Sequence, residues 1–194
     1  MAKFVAMESV DPKKATTLDW LGTLSEVINL RSFSNLWYWI MLAVMWSSVS
    51  HWVLGVPYDL VLRAAKQGGQ AETDLADIVR VNVNRLLYIA DVSGLWIMGF
   101  GMFFLTFLGL SGFVYGVQLA QAVFLLAFPM AFVGFLSFRT ALYLHHSDLD
   151  GQGLRRALSR HRTLMQIIGM FSIFITALWG MFQNLSYMMP SPVL

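Results

Sequence analysis

The sequence predicts an all-α polytopic membrane protein with four transmembrane helices and an N-terminal interfacial amphipathic helix. Hydrophobic residues make up 57% of the 194-residue chain and charged residues only 12%. A soluble domain of this size has roughly half apolar and about a quarter charged residues. The chain also contains long runs without Asp, Glu, Lys or Arg, as a helix that crosses a bilayer with roughly 20 apolar residues requires.

Three uncharged runs define the predicted spans. The first covers residues 35–58, where His51 is the only ionisable side chain. The second covers residues 92–138 and would be about 70 Å long as one helix, so it must turn, and Gly109–Gly112 is the predicted turn. The third follows Arg162. The predicted spans are about 36–57, 86–110, 113–136 and 164–187, in a single bundle over residues 35–190 with no separate soluble domain.

Two segments outside the spans also read as helices. Residues 1–34 form a tail and an amphipathic helix from Thr16 to Phe33, which we expect to lie in the membrane interface. No cleavable signal peptide is predicted, because the first apolar run starts past residue 30. Residues 71–85 read as a helical extension of the second span, although residues 79–84 alternate as a strand would.

The distribution of basic residues predicts the orientation. Loops one and three with their flanks carry nine Lys or Arg, against four on the opposite side. The positive-inside rule then places these loops in the cytoplasm and both termini in the periplasm of a bacterial inner membrane. The arginines of loop three are predicted to dock lipid headgroups or a partner. They are Arg155, Arg156, Arg160 and Arg162.

Polar side chains within the spans predict a cluster in the cytoplasmic half. Because a charge is costly in hydrocarbon, we expect Asp91 to pair with Arg139 or His51. Such a cluster can line a cavity that binds a ligand or relays a proton through His51. The alternative is a structural ion pair of Asp91 with Arg139, with His51 bonded to a backbone carbonyl. The predicted cluster comprises His51, Asp91, Arg139, Gln166, Ser47 and Ser50.

Small residues predict close helix packing. Ala90 and Gly94, like Gly112 and Gly116, have the four-residue spacing of a small-xxx-small motif. Pro129 in the third span is expected to kink its helix, because proline removes a backbone hydrogen bond.

Amide side chains toward the outer face predict hydrogen bonds between helices. Gln118 and Gln121 lie three residues apart and therefore share a helix face. Gln183 and Asn184 lie at the matching end of the fourth span, and structural interhelical bonds are the expected role of all four.

The residue patterns point to no catalytic or metal site. The chain has no cysteine, which excludes a thiolate nucleophile and cysteine-ligated metals carried by this chain alone. The acidic residues near His145 and His146 lack the remaining ligands of a calcium loop. A haem or pigment held by His51 alone stays open, and the cofactors are otherwise unknown. The net charge of +2 is too small to predict nucleic acid as a partner.

Three segments carry a resemblance to known proteins: RSFSNLWYW at residues 31–39, SHWVLGVPYD at 50–59 and VRVNVNRLLY at 79–88. They resemble short alphaproteobacterial inner-membrane proteins labelled "component of SufBCD complex", over most of the chain from about residue 19. The resemblance implies a role near iron–sulfur assembly, for which a cysteine-free chain offers no thiolate ligand.

These observations predict a non-catalytic accessory or assembly subunit of a bacterial inner-membrane complex. Its expected partners are membrane lipids and other membrane subunits or a second copy of itself. The alternative is a membrane binder or transporter of a small molecule, lipid or pigment that uses a polar cavity near Asp91 and His51.

Overall fold

The structure is a computed structural model that describes Phe33, residues 36–147 and residues 151–188, with side chains through Ser186. The predicted amphipathic helix lies outside these residues, except for Phe33. The elements in chain order are α1 (Leu36–His51), β1 (Trp52–Val53), β2 (Val56–Pro57), α2 (Tyr58–Gln67), α3 (Gln70–Gly109), a π-helical segment (Leu110–Val114), α4 (Gln118–His146) and α5 (Gly151–Met188).

The described chain is helical, and it contains three helices long and apolar enough to cross a membrane. They are α3 with its π-helical continuation (Gln70–Val114), α4 (Gln118–His146) and α5 over Gly151–Ser186. The fourth predicted span corresponds to α1, which has 16 residues. At 1.5 Å per residue α1 is about 24 Å long, a little less than the hydrocarbon core.

A β-hairpin ends the first predicted span earlier than residue 57. β1 pairs antiparallel with β2, with Trp52 opposite Pro57 and Val53 opposite Val56. Leu54 and Gly55 form the turn with positive φ angles of 51° and 75°. Two positive φ angles in a two-residue loop are the conformation of a hairpin turn of type I′. The predicted span was too long for a local reason: Gly55 favours the turn, and Pro57 cannot donate the hydrogen bond that a continuing helix needs.

The turn after α3 lies later than predicted. The helix continues through the expected turn as the π-helical segment, and the chain reverses at residues 115–117, where Gly116 has a φ of 70°. Gly112 serves another purpose, since a Cβ on it would lie 2.8 Å from the backbone nitrogen of Gln121. Glycine is therefore required at Gly112 for close packing and at Gly116 for the turn.

Residues 71–85 are helical, as predicted, and belong to the 40-residue helix α3. Residues 79–84 are α-helical despite their strand-like alternation. Gly68 and Gly69, with φ angles of 60° and 50°, separate α3 from α2. At about 60 Å, α3 is twice as long as a bilayer core is thick, so its N-terminal half extends beyond the predicted span.

Two hydrophobic clusters hold the helices together. The end cluster joins the hairpin, α2 and the adjacent ends of α3, α4 and α5 through Val53, Val56, Val61, Ala64, Leu75, Val79, Val83, Ala141, Leu154 and Leu158. The mid-bundle cluster joins α1, α4 and α5 through Leu42, Trp46, Val133 and Met165. The end cluster is the larger and resembles the core of a small soluble domain.

The mid-bundle cluster depends on a glycine of α5. A Cβ at Gly169 would lie 2.7 Å from Cε3 of Trp46, which is only 4% exposed. We expect Gly169→Ala to lower the free energy of unfolding in detergent by about 1–3 kcal/mol, because the buried indole must move. The control is Gly134→Ala, since nothing lies within 4 Å of a Cβ there. Equal stability of the two variants, measured by denaturant titration, would contradict this packing.

Candidate functional site

The structure does not bring the predicted polar cluster together. Asp91 and Arg139 are exposed, and in the described part of the chain Asp91 forms no ion pair with Arg139 or His51. Ala90, the preceding residue, is half-buried. Successive side chains of a helix are about 100° apart around its axis, so Asp91 points away from the direction in which Ala90 is covered. The other members are dispersed as well: His51, Gln166 and Ser47 are exposed, and Ser50 is half-buried.

The small-residue pairs also differ in use. Only the Ala90 side chain lies within 4 Å of a Cβ placed on Gly94, so this pair does not pack another described helix. Gly116 has nothing within 4 Å and is a turn residue. Gly112 alone of these makes the predicted close approach. Pro129 lies inside α4 and lines an apolar cavity described below.

The four arginines predicted to form a docking surface separate into two pairs. Arg156 and Arg160 are exposed, whereas Arg155 and Arg162 are half-buried and make internal contacts. Sequence position alone does not distinguish them, because the long side chain can reach water or a neighbouring helix from the same backbone.

Arg155 joins three helices. Its Nη1 donates to Oε1 of Glu72 on α3 at 2.8 Å and to the carbonyl oxygen of Ala64 on α2 at 3.2 Å. The Ala64 carbonyl also accepts from the backbone N–H of Gly68 at 3.1 Å, so Arg155 is its second donor. The positive charge lies near the C-terminus of α2, where a cation is favoured by the helix dipole.

Arg162 makes the equivalent contact with α1. Its Nε donates to the carbonyl oxygen of Ser50 at 3.2 Å, in the last turn of α1. Its guanidinium carbon lies 3.9 Å from the centre of the Tyr58 ring, a cation–π contact. The hydroxyls of Tyr58 and Ser159 are 3.3 Å apart and share a hydrogen bond.

Replacing Arg155 tests its internal role. We expect Arg155→Gln to lower the free energy of unfolding by about 1–2 kcal/mol, because Glu72 and Ala64 lose a charged donor. The loss is limited because Glu72 is partly exposed to water and the Ala64 carbonyl keeps its bond from Gly68. The matched control is Arg156→Gln, an exposed neighbour with an unchanged midpoint expected. Thermal unfolding in detergent measures the midpoints of the two variants. If Arg155 only docked external lipid or a partner, both variants would unfold at the same temperature.

Gln121 forms the main polar contact at the opposite end. Its side chain is 5% exposed, and its Nε2 donates to the carbonyl oxygen of Gly112 at 2.8 Å. Its Oε1 accepts from Nε1 of Trp179 at 3.1 Å and from Nε2 of Gln183 at 2.7 Å. The predicted interhelical amide bonds thus form at Gln121 and Gln183. Phe113 adds an edge-to-face contact with Trp179, at 5.4 Å between ring centres.

Gln118 provides a matched comparison with Gln121. It is 8% exposed, but its Nε2 has no hydrogen-bond partner in the described part of the molecule. We expect Gln121→Leu to destabilise the protein by about 1–3 kcal/mol, since the donors of Trp179 and Gln183 lose their acceptor. Gln118→Leu should be neutral or stabilising, because it removes an unpaired buried amide. The two midpoints in one detergent test this, and the reverse order contradicts it.

Two cavities follow each other along the seam between α4 and α5. The cationic cavity, of about 460 Å³, is lined by Leu136, Arg139, Thr140, Tyr143, Ala157, Arg160, His161 and Leu164. The apolar cavity, of about 360 Å³, is lined by Phe124, Leu125, Phe128, Pro129, Phe132, Ile167, Ile168, Phe171, Ser172, Ile175 and Thr176. Arg139, predicted to pair with Asp91, is therefore part of a different site.

His161 forms one wall of the cationic cavity and is only 3% exposed. Its Nδ1 lies 3.0 Å from Oγ1 of Thr140, and its Nε2 lies 3.3 Å from Oγ of Ser137. Both ring nitrogens are thus engaged with hydroxyls of α4. The sequence gives no signal of this arrangement, because Ser137 and Thr140 lie more than 20 residues from His161 and on another helix.

The other loop-three histidines lie in a separate polar cavity. Among the described residues no group of three His, Cys, Asp or Glu is placed to hold a metal ion. His145 and His146 line a cavity of about 480 Å³ together with Asp77 and Arg80. Asp77 is already paired with Arg80 at 2.9 Å, and Nδ1 of His146 lies 2.8 Å from the carbonyl oxygen of Leu142.

No family model, curated protein or solved structure matches the chain. The resemblance to proteins labelled "component of SufBCD complex" therefore stays a prediction.

Proposed function

We propose that this chain is a non-catalytic accessory or assembly subunit of a bacterial inner-membrane protein complex. In this proposal α1 is the fourth span, both termini are periplasmic, and the loops that carry most of the basic residues are cytoplasmic. The single observation that carries it is the exposure of α3 between Asp91 and Phe107, where no side chain is buried.

Lipid accounts for much of that exposure, but not for all of it. The segment presents large apolar side chains such as Leu95, Phe103 and Phe107, at 84%, 71% and 57% exposure. Acyl chains cover such residues without any partner protein. Asp91 is different, because a carboxylate inside a predicted span is expensive unless it is paired or hydrated. In the described part of the chain Asp91 has no such partner.

Glycines supply a second argument for a partner helix on α3. Gly94 and Gly101 lie seven residues apart and therefore share a face of α3. Nothing lies within 4 Å of a Cβ placed on Gly101, and one placed on Gly94 meets only the side chain of Ala90. Small residues on an open helix face allow another backbone to approach closely, which is how membrane helices associate in the absence of a hydrophobic driving force. A polar partner of Asp91 together with such an approach describes a subunit interface.

The alternative binder or transporter with a cavity near Asp91 and His51 has less support. Both side chains are exposed, and neither lines any of the three cavities described above.

The test is affinity purification of the native protein from its membrane in mild detergent. We expect stoichiometric partners with the wild-type chain and about tenfold less partner with Asp91→Asn, because a charge-assisted bond contributes about 1.5–3 kcal/mol. Asp59→Asn is the matched control, since Asp59 is an exposed carboxylate outside the predicted spans.

A second variant tests the glycine face. Gly101→Leu should also reduce partner recovery while the isolated chain keeps its unfolding midpoint, because the added side chain meets open space within this protein. Recovery of the wild-type protein as a lone monomer would overturn the subunit proposal. So would full retention of partners by both variants.

A further inference from the structure

The seam between α4 and α5 is chemically complementary to a lipid rather than to a water-soluble ligand. Its cationic cavity carries two arginines, Arg139 and Arg160, and its lining includes no carboxylate. Both arginines are exposed, and neither forms an ion pair within the described residues. Two guanidinium groups without an anion in one cavity form a site that is complementary to a phosphate.

The polar lining beside the arginines suits a headgroup. Tyr143 adds a hydroxyl group to the same cavity, whereas the hydroxyl of Thr140 is already bonded to the carbonyl oxygen of Leu136 and to Nδ1 of His161. His161 closes its wall with both ring nitrogens engaged by hydroxyls of α4, so the wall is held in place by internal bonds. The remaining lining residues are aliphatic, and two of them, Leu136 and Leu164, lie on the side toward the apolar cavity.

The apolar cavity continues the seam in the direction that an acyl chain would take. Leu136 of the cationic cavity is one turn from Phe132 of the apolar cavity on α4. Leu164 is likewise one turn from Ile168 on α5. Residues four apart share a helix face, so both helices turn the same face toward the two cavities.

The near end of the apolar cavity lies within the depth of one leaflet from Arg160. The apolar cavity spans Ile167 to Thr176 of α5, which is about 10–24 Å beyond Arg160 at 1.5 Å per residue. The hydrocarbon of one leaflet is about 15 Å deep. An acyl chain from a phosphate at Arg160 would therefore enter the apolar cavity at Ile167 within the same leaflet, whereas Thr176 at the far end lies deeper than one leaflet.

We propose that the α4–α5 seam binds one anionic diacyl phospholipid, with the phosphate between Arg139 and Arg160 and an acyl chain in the apolar cavity. A phospholipid fits the two cavities because it carries a charged and an apolar part on one molecule, in the order in which the cavities follow each other along the seam. This site is independent of Asp91 and of the subunit interface on α3. In the proposed orientation the headgroup lies at the cytoplasmic surface, where basic pockets between helices meet anionic lipids.

Native mass spectrometry of the purified full-length protein tests the proposal. The delipidated protein is titrated with phosphatidylglycerol or with phosphatidylcholine of the same acyl chains. Both lipids carry a phosphate, but the choline cation of phosphatidylcholine cancels its charge and would be repelled by Arg139 and Arg160. We therefore expect one phosphatidylglycerol per chain, bound at least about tenfold more tightly than phosphatidylcholine. Equal binding of the two lipids overturns the assignment of the arginines.

Variants distinguish binding at this site from nonspecific attraction of anionic lipid to the basic residues of the protein. Arg139→Gln with Arg160→Gln should lower phosphatidylglycerol affinity about tenfold or more, to the level of phosphatidylcholine. Lysine at both positions should restore part of the preference, because it keeps the charges without the planar fork. Arg156→Gln, an exposed arginine of the same helix outside the cavity lining, should change the affinity less than about twofold. A loss with Arg156→Gln equal to that of the double variant overturns the proposal.

Two further measurements complete the test. Inorganic phosphate at the same concentrations should neither stabilise the protein nor displace phosphatidylglycerol, and displacement would show an anion site without an acyl-chain component. Asp91→Asn should bind phosphatidylglycerol as the wild type does. The lipid site and the subunit interface therefore fail or succeed separately.

Discussion

Helices in a bilayer gain little from burying apolar surface, because lipid tails are as apolar as leucine. The tertiary arrangement of this protein must therefore be specified largely where water is present. The end cluster and the two inward arginines, Arg155 and Arg162, meet that need. They attach α5 to the C-terminal carbonyls of α2 and α1 and to Glu72 of α3. The rest of the bundle can then remain loosely packed, and α3 has no buried side chain between Asp91 and Phe107.

Sequence reasoning found the helices because hydropathy and length are direct consequences of solvation. It found α3, α4 and α5 and the helical extension over residues 71–85. It placed the end of α1 too late, because residues 35–58 are uncharged throughout and hydropathy does not register the Leu54–Gly55 turn. The turn after α3 was misplaced for a related reason: Gly112 is needed for contact with Gln121, and glycine alone does not reveal which of its uses applies.

The side-chain sites were harder to predict, because they depend on rotation about helix axes. The sequence puts Asp91 and Arg139 at the same depth, yet a change of about 100° per residue decides whether they meet. Gln118 and Gln121 show the same limit. Both are buried on one helix, but only Gln121 faces Trp179 and Gln183. The seam between α4 and α5 could not be found from either helix alone, since each contributes one arginine to it.

The hairpin after α1 has a mechanical consequence. Asn82 of α3 donates from Nδ2 to the carbonyl oxygen of Gly55 at 3.2 Å and so fastens the hairpin tip to a long helix. A two-stranded ribbon exposes edge peptide groups, which hydrocarbon cannot solvate. With α1 in the bilayer as proposed, the hairpin has to stay outside the hydrocarbon core. It therefore limits how deeply the C-terminal end of α1 can enter the bilayer. Because Asn82 bonds the hairpin to α3, the depth of α3 in the bilayer is limited together with that of α1.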